Sequence, residues 1–515
     1  MKKPLQARPQ IAKRLLVVLL GILAFIVLMT VHPAWALVFV ILAVAWRRRE
    51  WFLRLWAFIR KKPYVSREER QHLARLRDNP LGESHFMQTH QSELATRLSH
   101  LSEVDGLIYG QDRKHAIVRL AHKEGHTLIV GGSGEGKTVS HVIPTLLSWQ
   151  GSALVIDIKG ELYEKTASYR RSFSRVLRFN PVGDDHTYNP IDYCQTVFQA
   201  QDLAQTLIPE PKEGDPFWAQ AAQGIFAAAI LEGNRQVLSL ADVAARCIET
   251  PVRRLVEELS KSEHRGTRLL ASGFVDLPDK ALGGVAGEMR SKLLTLATDD
   301  DVIRATARSD FKASDLDKPT TLYLTIPESR LEQLRPLWTA VIQQIIRHMQ
   351  ERPEEASVPI LVMLDEFPRL GKMPEFDGSL ATLRSKNVHF SIVVQSLAQL
   401  DDRYGEDIRR IIVDNCSYKL ILSATDDKTQ KALSDLAGQR AVNTTSYSRS
   451  HNPLQIFGSE TNNEQTVPLI RPEEFGRLGE TAILFQPRTM PMRIQRLRWY
   501  ENKAFQTKVK GEQGA

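Results

Sequence analysis

The chain has 515 residues, 43% of them hydrophobic and 25% charged, enough for about two to four domains with well-buried cores and too apolar for wholesale disorder. Its net charge of +8 is unevenly spread. Residues 1–80 hold 16 Lys/Arg against 4 Asp/Glu and the remaining 435 hold 52 against 56, which argues against a protein-wide basic surface for nucleic acid and marks the N-terminal part as a membrane flank. Cys194, Cys247 and Cys416 stand far apart with no CxxC spacing, against both a disulfide framework and a cysteine zinc site and in keeping with a reducing compartment.

The first expected element is a membrane anchor over residues 1–62. Leu15 to Val31 is apolar apart from Gly21 and Thr30, His32-Pro33 interrupts the run, and Ala34 to Trp46 resumes it. Lys2, Lys3, Arg8, Lys13 and Arg14 precede it, and Arg47, Arg48, Arg49, Arg54, Arg60, Lys61 and Lys62 follow. Cationic flanks on both sides place both ends in the cytoplasm, so the segment reads as a hairpin of two transmembrane helices, about 15–31 and 34–53. A single tilted helix would leave one basic cluster outside. A cleaved signal peptide at "PAWA" (33–36) competes, but the apolar run continues past that point and stops at three arginines.

"HTLIV" (126–130) reads as a buried strand, and "GGSGEGKT" after it satisfies G-x-x-x-x-G-K-[ST] with Gly131, Gly132, Ser133, Gly134, Glu135, Gly136, Lys137 and Thr138. Such a loop turns successive N–H groups around phosphate, with Lys137 reaching the β- and γ-phosphates and the Thr138 hydroxyl ligating Mg²⁺. "PILVMLDEF" (359–367) is an apolar strand ending in two acids: Asp365 to hold the metal and Glu366 to polarise the attacking water. "HFSIVVQS" ends in Gln395, placed to sense the γ-phosphate or simply to make a turn contact. Arg384, between these strands, is either a finger for a neighbouring subunit's nucleotide or a solvated helix-end arginine.

Lys137 and Asp365 lie 228 residues apart, more than adjacent strands of one nucleotide-binding sheet need. "ALVIDIKGELY" (153–163) and "SRVLRFNP" (174–181) continue the core. Residues 196–307 then turn to apolar spacings of three and four, predicting an all-α insert, with Pro216 suited to a first helical turn. "TTLYLTIPE" (320–328) returns to the sheet, "SYKLILSA" extends it and "TAILFQP" ends it, giving a parallel α/β core with helices on both faces. Residues 440–467 read as an exposed loop or flexible hairpin, and the chain after Arg488 as a basic tail that frays.

In this order "HTLIVGGSGEGKT", "ALVIDIKGELY", "NPI", "DPFW", a helical insert, "LDEFPRLGKMPEF", "VVQSLAQL" and "ILSATDDKTQKALSDLAG" resemble the type IV secretion coupling proteins, the TraG/TraD-like conjugative DNA-transfer ATPases, over roughly 105–490. The resemblance implies a RecA-like P-loop NTPase core (63–195 and 308–490) with an inserted all-α domain (196–307), a tail (491–515) and the N-terminal transmembrane hairpin. It further implies a homo-hexamer at the bacterial inner membrane, with the bulk of the chain cytoplasmic. Such a ring would use ATP and Mg²⁺ to pass a relaxase joined to single-stranded DNA, with relaxosome accessory proteins, to the secretion channel and its ATPases. Lys137, Thr138, Asp365, Glu366 and Gln395 match the nucleotide positions, and Arg384 the arginine finger. One departure is the minimal outer turn at His32-Pro33, where relatives usually have a longer periplasmic loop. A coupling ATPase for protein effectors only, a double-stranded DNA translocase and an ATP-binding docking receptor remain alternatives. Glu366 counts against the receptor, which has no use for a placed base.

Overall fold

Short runs of Val, Ile and Leu that read as strands buried on both faces do form the centre of the molecule. The computed structural model describes residues 85–510, apart from Lys212, Glu355, Lys372, Pro374, Glu375 and 449–458. The expected transmembrane spans, 15–31 and 34–53, lie outside the described residues. Among those that are described, no helix is long and apolar enough to cross a membrane.

In chain order the strands are β1 (Ala95–Arg97), β2 (Gly106–Gln111), β3 (His115–Leu120), β4 (Thr127–Val130), β5 (Ser152–Asp157), β6 (Arg175–Phe179), β7 (Thr320–Thr325), β8 (Ile360–Leu364), β9 (Val388–Val394), β10 (Tyr418–Ile421), β11 (Gln439–Ser448), β12 (Ser459–Pro468), β13 (Thr481–Phe485) and β14 (Met492–Gln495). Twelve of them make one sheet in the order β1-β3-β2-β14-β13-β10-β4-β9-β8-β5-β7-β6. From β10 to β6 every neighbouring pair is parallel. The interior strands β4, β9, β8, β5 and β7 are buried along their whole length because each face meets its own layer. Ile360, Val362 and Leu364 of β8 join one core cluster, while Leu361 and Met363 join the other.

Among the described residues, no strand interrupts the chain between β6 and β7, and seven α-helices run from Val197–Leu207 to Asp300–Ala305. Caps define them locally. Ser239 accepts from the Asp242 N–H (3.1 Å) and Asp242 accepts back from the Ser239 N–H (3.1 Å), opening the helix Leu240–Glu249. Pro216 is the residue just before the helix Phe217–Arg235. The chain leaves from β6 and re-enters as β7, its own sheet neighbour. An insertion whose ends are adjacent leaves the strand order intact.

Two C-terminal expectations meet a different structure, and the third, a loop or hairpin over 440–467, takes the hairpin form. The sheet does not end at "TAILFQP": β13 pairs antiparallel with β10 and with β14, and β14 joins β2. The segment 491–515 is not a frayed tail over its described part. Met492 and Ile494 are buried while Arg493 and Gln495 are exposed, the half-buried alternation of a strand whose basic neighbours dominate the composition. Beyond it, the helix Lys503–Lys510 buries Phe505, and Lys508 Nζ donates to Leu147 O (2.9 Å). Residues 440–467 fall in a hairpin: β11 and β12 form a second, two-stranded sheet paired from Gln439↔Pro468 to Ser448↔Ser459. Its residues are polar in both alternations, so the sequence carries no period-two signal. All three cysteines are buried and free.

Ile494→Ala tests the placement of β14. Truncating a buried aliphatic side chain in an internal strand should lower the unfolding free energy by about 2–4 kcal/mol in urea titration. A fraying tail would show no change.

Candidate nucleotide site

The loop after β4 is held by its strand neighbours. Gly131 N–H donates to Val394 O of β9 (3.2 Å), and Gly132 N–H donates to Ser423 Oγ, just beyond β10 (2.9 Å). Gly134 and Gly136 turn the chain at φ 77° and 75°, a left-handed region that residues with a Cβ adopt at a cost of roughly 1–2 kcal/mol. Lys137 crosses the loop, its Nζ donating to Gly131 O (2.6 Å) and Gly132 O (2.8 Å). Burial draws its pKa down, against the pull of Asp365 and Glu366. Thr138–Val142 forms a π-helical turn, with Ile143 N–H reaching Thr138 O five residues back. Pro144, which has no N–H to give, follows within the helix Ile143–Ser148.

β8 delivers the two acids to the same edge. Thr138 Oγ1 donates to Asp365 Oδ2 across a long 3.4 Å, and Asp365 Oδ1 is buried with no partner. A hydroxyl beside a carboxylate with one oxygen unused is the hard-oxygen donor set that Mg²⁺ takes, so these residues fit the ion. Burial first, then the charges of Glu366 and Asp157, push Asp365 up to about 7, with Lys137 and the Thr138 hydrogen bond opposing.

Glu366 sits at φ 57°, ψ 44°, a left-handed conformation that a non-glycine residue keeps only where its surroundings impose it. The next residues impose it here: Phe367, Pro368 and Leu370 are buried, and Arg369 N–H donates to Glu366 O (2.9 Å). The carboxylate pairs with Arg369 Nη1 (2.9 Å) and Lys159 Nζ (3.5 Å).

The other expected residues part company. Gln395 lies at the tip of β9, one strand from the loop, its Oε1 accepting from Gln399 Nε2 (3.2 Å). Arg384 precedes β9 and pairs with Glu124 Oε2 (3.0 Å), which precedes β4. That is the opposite edge of the sheet, so Arg384 is not brought to this chain's loop.

Four further residues reach the site without having been picked out. Asp157 ends β5 as Asp365 follows β8, accepting from Tyr163 N–H (2.8 Å), and burial pushes it up to about 6. An acid closing an apolar strand was the available signal. Lys159 and Arg369 are the Glu366 partners. Arg496, buried, donates to Glu135 O (2.7 Å), Glu135 Oε2 (3.0 Å) and Leu422 O (2.8 Å), bracing the glycine loop from just past β14. Nothing local in the sequence announces that contact.

The fold is that of a mixed α/β, RecA-like NTPase. It is shared with the bacterial conjugative coupling protein TrwBdeltaN70, whose unbound form aligns with TM-score 0.59 and 18% identity over 81% of this chain and 96% of that one. The plasmid coupling protein TrwB in complex with ADP and Mg²⁺ aligns equally well, TM-score 0.59 over 81% of this chain and 95% of that one, at 18% identity. Residues 86–513 match the family described as type IV secretory system conjugative DNA transfer, and the chain belongs to that family. Among similar proteins, the conjugal transfer protein TraG of Escherichia coli is 30% identical over 395 residues, 68% of this chain and 61% of its own. Protein VirD4 of Rhizobium rhizogenes is 28% identical over 402 residues, 73% of this chain and 59% of its own. The chain thus matches about three fifths of the length of these relatives.

The raised Asp365 pKa has a fixed sign in stability. A carboxyl whose folded pKa lies above its unfolded value contributes stability that is fully present below about pH 4 and lost as pH rises through about 7. Asp365→Asn should remove that decline and leave the protein about 1–3 kcal/mol more stable than wild type at pH 8 in urea titration. The smaller decline from Asp157, of the same sign, should persist. Parallel pH curves for the two proteins would refute the assignment.

Proposed function

We propose that the chain is the ATP-driven coupling protein of a conjugative DNA-transfer apparatus. The carrying observation is the family match over 86–513, reinforced by Lys137, Thr138, Asp365 and Glu366 standing at one edge of a parallel sheet. TrwB is described with a non-hydrolysable ATP analogue and with ADP and Mg²⁺, and the same ligands suit the loop of this chain. The N–H groups of 131–138 cradle phosphate, and the Lys137 ammonium neutralises charge at the β- and γ-positions. Thr138 and Asp365 would hold Mg²⁺, which supplies charge neutralisation at the transferred phosphoryl group. Glu366 takes the proton of the attacking water, Gln395 reads the γ-position from the next strand, and Arg384 serves a neighbour's site in a homo-hexameric ring.

On this reading residues 63–195 and 308–490 form the motor and 196–307 the partner-recognising insert. The surplus of acidic over basic residues after position 80 suits basic partners, here a relaxase carrying single-stranded DNA and its accessory proteins. The hairpin at 15–31 and 34–53 fixes the ring in the inner membrane, beside the secretion channel and its ATPases. A motor fixed in place moves its cargo past itself.

The test compares ATP turnover by the full-length protein with Lys137→Ala and Glu366→Gln. Each substitution should lower kcat by about 100-fold or more. Equal rates in all three would leave only a docking receptor. In donor cells, the Lys137→Ala copy should abolish DNA transfer while reaching the membrane in normal amount; undiminished transfer would sink the motor.

A further inference from the structure

The carboxylate assigned as general base is not alone at its strand tip. Glu366 Oε2 accepts from Arg369 Nη1 (2.9 Å), and Lys159 Nζ lies 3.5 Å from Oε1. Arg369 is shared, because its Nη2 also donates to Glu328. Glu328 opens the 3-10 turn Glu328–Arg330 that follows β7, and the far end of this turn is tied elsewhere. Arg330 pairs with Asp299 and, at 3.5 Å, with Asp301, at the junction of the helices Asp279–Thr298 and Asp300–Ala305 in the insert. Two sets of ion pairs, joined through the backbone of the turn 328–330, therefore connect the helical insert to the base: Asp299/Asp301 with Arg330 on one side, and Glu328 with Arg369 and Glu366 on the other.

We propose that Arg369 is a positioning residue whose guanidinium is divided between Glu366 and Glu328, and that the helical insert sets this division through Arg330. The inference rests on the ATPase reading above. A guanidinium fully committed to Glu366 occupies the oxygen that must receive the proton of water. Glu328 draws part of that donor capacity away, and it does so only while the turn 328–330 is held in place by the insert. The Glu328–Arg369 bridge is exposed, 58% on the glutamate side and 35% on the arginine side. Such a bridge is individually weak and easily remade, as a divided contact requires. The turn of Glu366 does not need its ion pairs to persist, because buried Phe367 and Leu370 hold it. The side chain can therefore be released without loss of the backbone geometry.

Opposite signs make the proposal testable in the full-length protein, with ATP turnover as the readout. Arg369→Gln should raise kcat about three- to tenfold with KM for ATP within about twofold, a change in the chemical step and not in ground-state binding. Glu328→Gln should lower kcat about two- to fivefold, and that loss should vanish in the Arg369→Gln background, the non-additivity expected of residues on one path. Asp299→Asn keeps the capping oxygen toward the Val302 N–H while removing the negative charge that pairs with Arg330. It should act as a milder Glu328→Gln, again only while Arg369 is present. A merely destabilised variant loses turnover and cannot gain it. A fall or no change in kcat for Arg369→Gln, or an effect of Glu328→Gln that is the same with and without Arg369, would overturn the shared-arginine relay. Loss of the Asp299→Asn effect alone would overturn the link to the insert. If wild type and Glu366→Gln turn over equally, the motor reading itself fails, and the relay falls with it.

Discussion

Three carboxylates and three cations crowd one edge of the sheet, and the structure is organised around keeping them there. Asp157 follows from β5, Asp365 and Glu366 from β8 and Lys137 from β4, with Lys159 and Arg369 beside them. Parallel strands make this possible, because all of them end on the same side and any residue just past a strand tip meets its neighbours there. Burial is the opposing force. It pushes Asp365 and Asp157 toward their neutral forms and draws Lys137 the same way. The site is therefore short of compensating contacts in itself, as the partnerless Asp365 Oδ1 shows. A cluster arranged in this way favours a ligand that brings both anionic oxygen and a divalent cation, since each completes what the other half lacks.

The strained turn at Glu366 shows how that arrangement is held. Its positive φ is sustained by hydrophobic packing: Phe367 stacks on Tyr404 (ring centroids 5.4 Å) and lies 4.6 Å from the ring of Phe376. The aromatic cluster fixes the backbone, and charged contacts fix only the direction of the carboxylate. Geometry and control are thus carried by different forces, one large and non-directional, the other small and replaceable. The same division appears at the glycine loop. Its path is set by Gly134 and Gly136 and by hydrogen bonds to β9 and to Ser423, while Arg496 braces the Glu135 carbonyl from behind.

How much of this could be read from the chain follows from the range of each interaction. The glycine loop was legible because a phosphate cradle needs positive φ at particular spacings, and that requirement leaves glycine in the sequence. The parallel strands were legible as unbroken apolar runs, and the helical insert as a change of period. β14 was not, because four residues with two buried positions carry little signal against Arg488, Arg493, Arg496 and Arg498 around them. The β11–β12 hairpin was legible only as one of two readings, loop or hairpin, because neither alternation of its sequence is apolar. Lys159 and Arg496 gain their roles only from partners brought in by the fold, and Arg369 adds Glu328 to its local partner Glu366; Arg496 meets Glu135 from 361 positions away. Sequence reveals what the backbone demands of a residue, and conceals what distant side chains demand of one another.

The place of the insert follows from the same sheet. It enters after β6 and leaves into β7, the two strands at the free end of the parallel row. An insertion at that end adds a layer of helices without separating the strands that carry Lys137 and Asp365. A domain attached there would be mechanically remote if its exit were an ordinary loop. It is not, because β7 runs to the same edge as β5 and β8, and the residues just past it, Pro327 to Arg330, touch the insert on one side and Arg369 on the other. The return strand brings the chain from the insert back to the chemistry within one short turn. Placing a helical domain at a sheet's end while keeping it in contact with the centre requires a connection of this kind, and among parallel strands only a neighbour that ends on the edge carrying Lys137 and Asp365 can supply it.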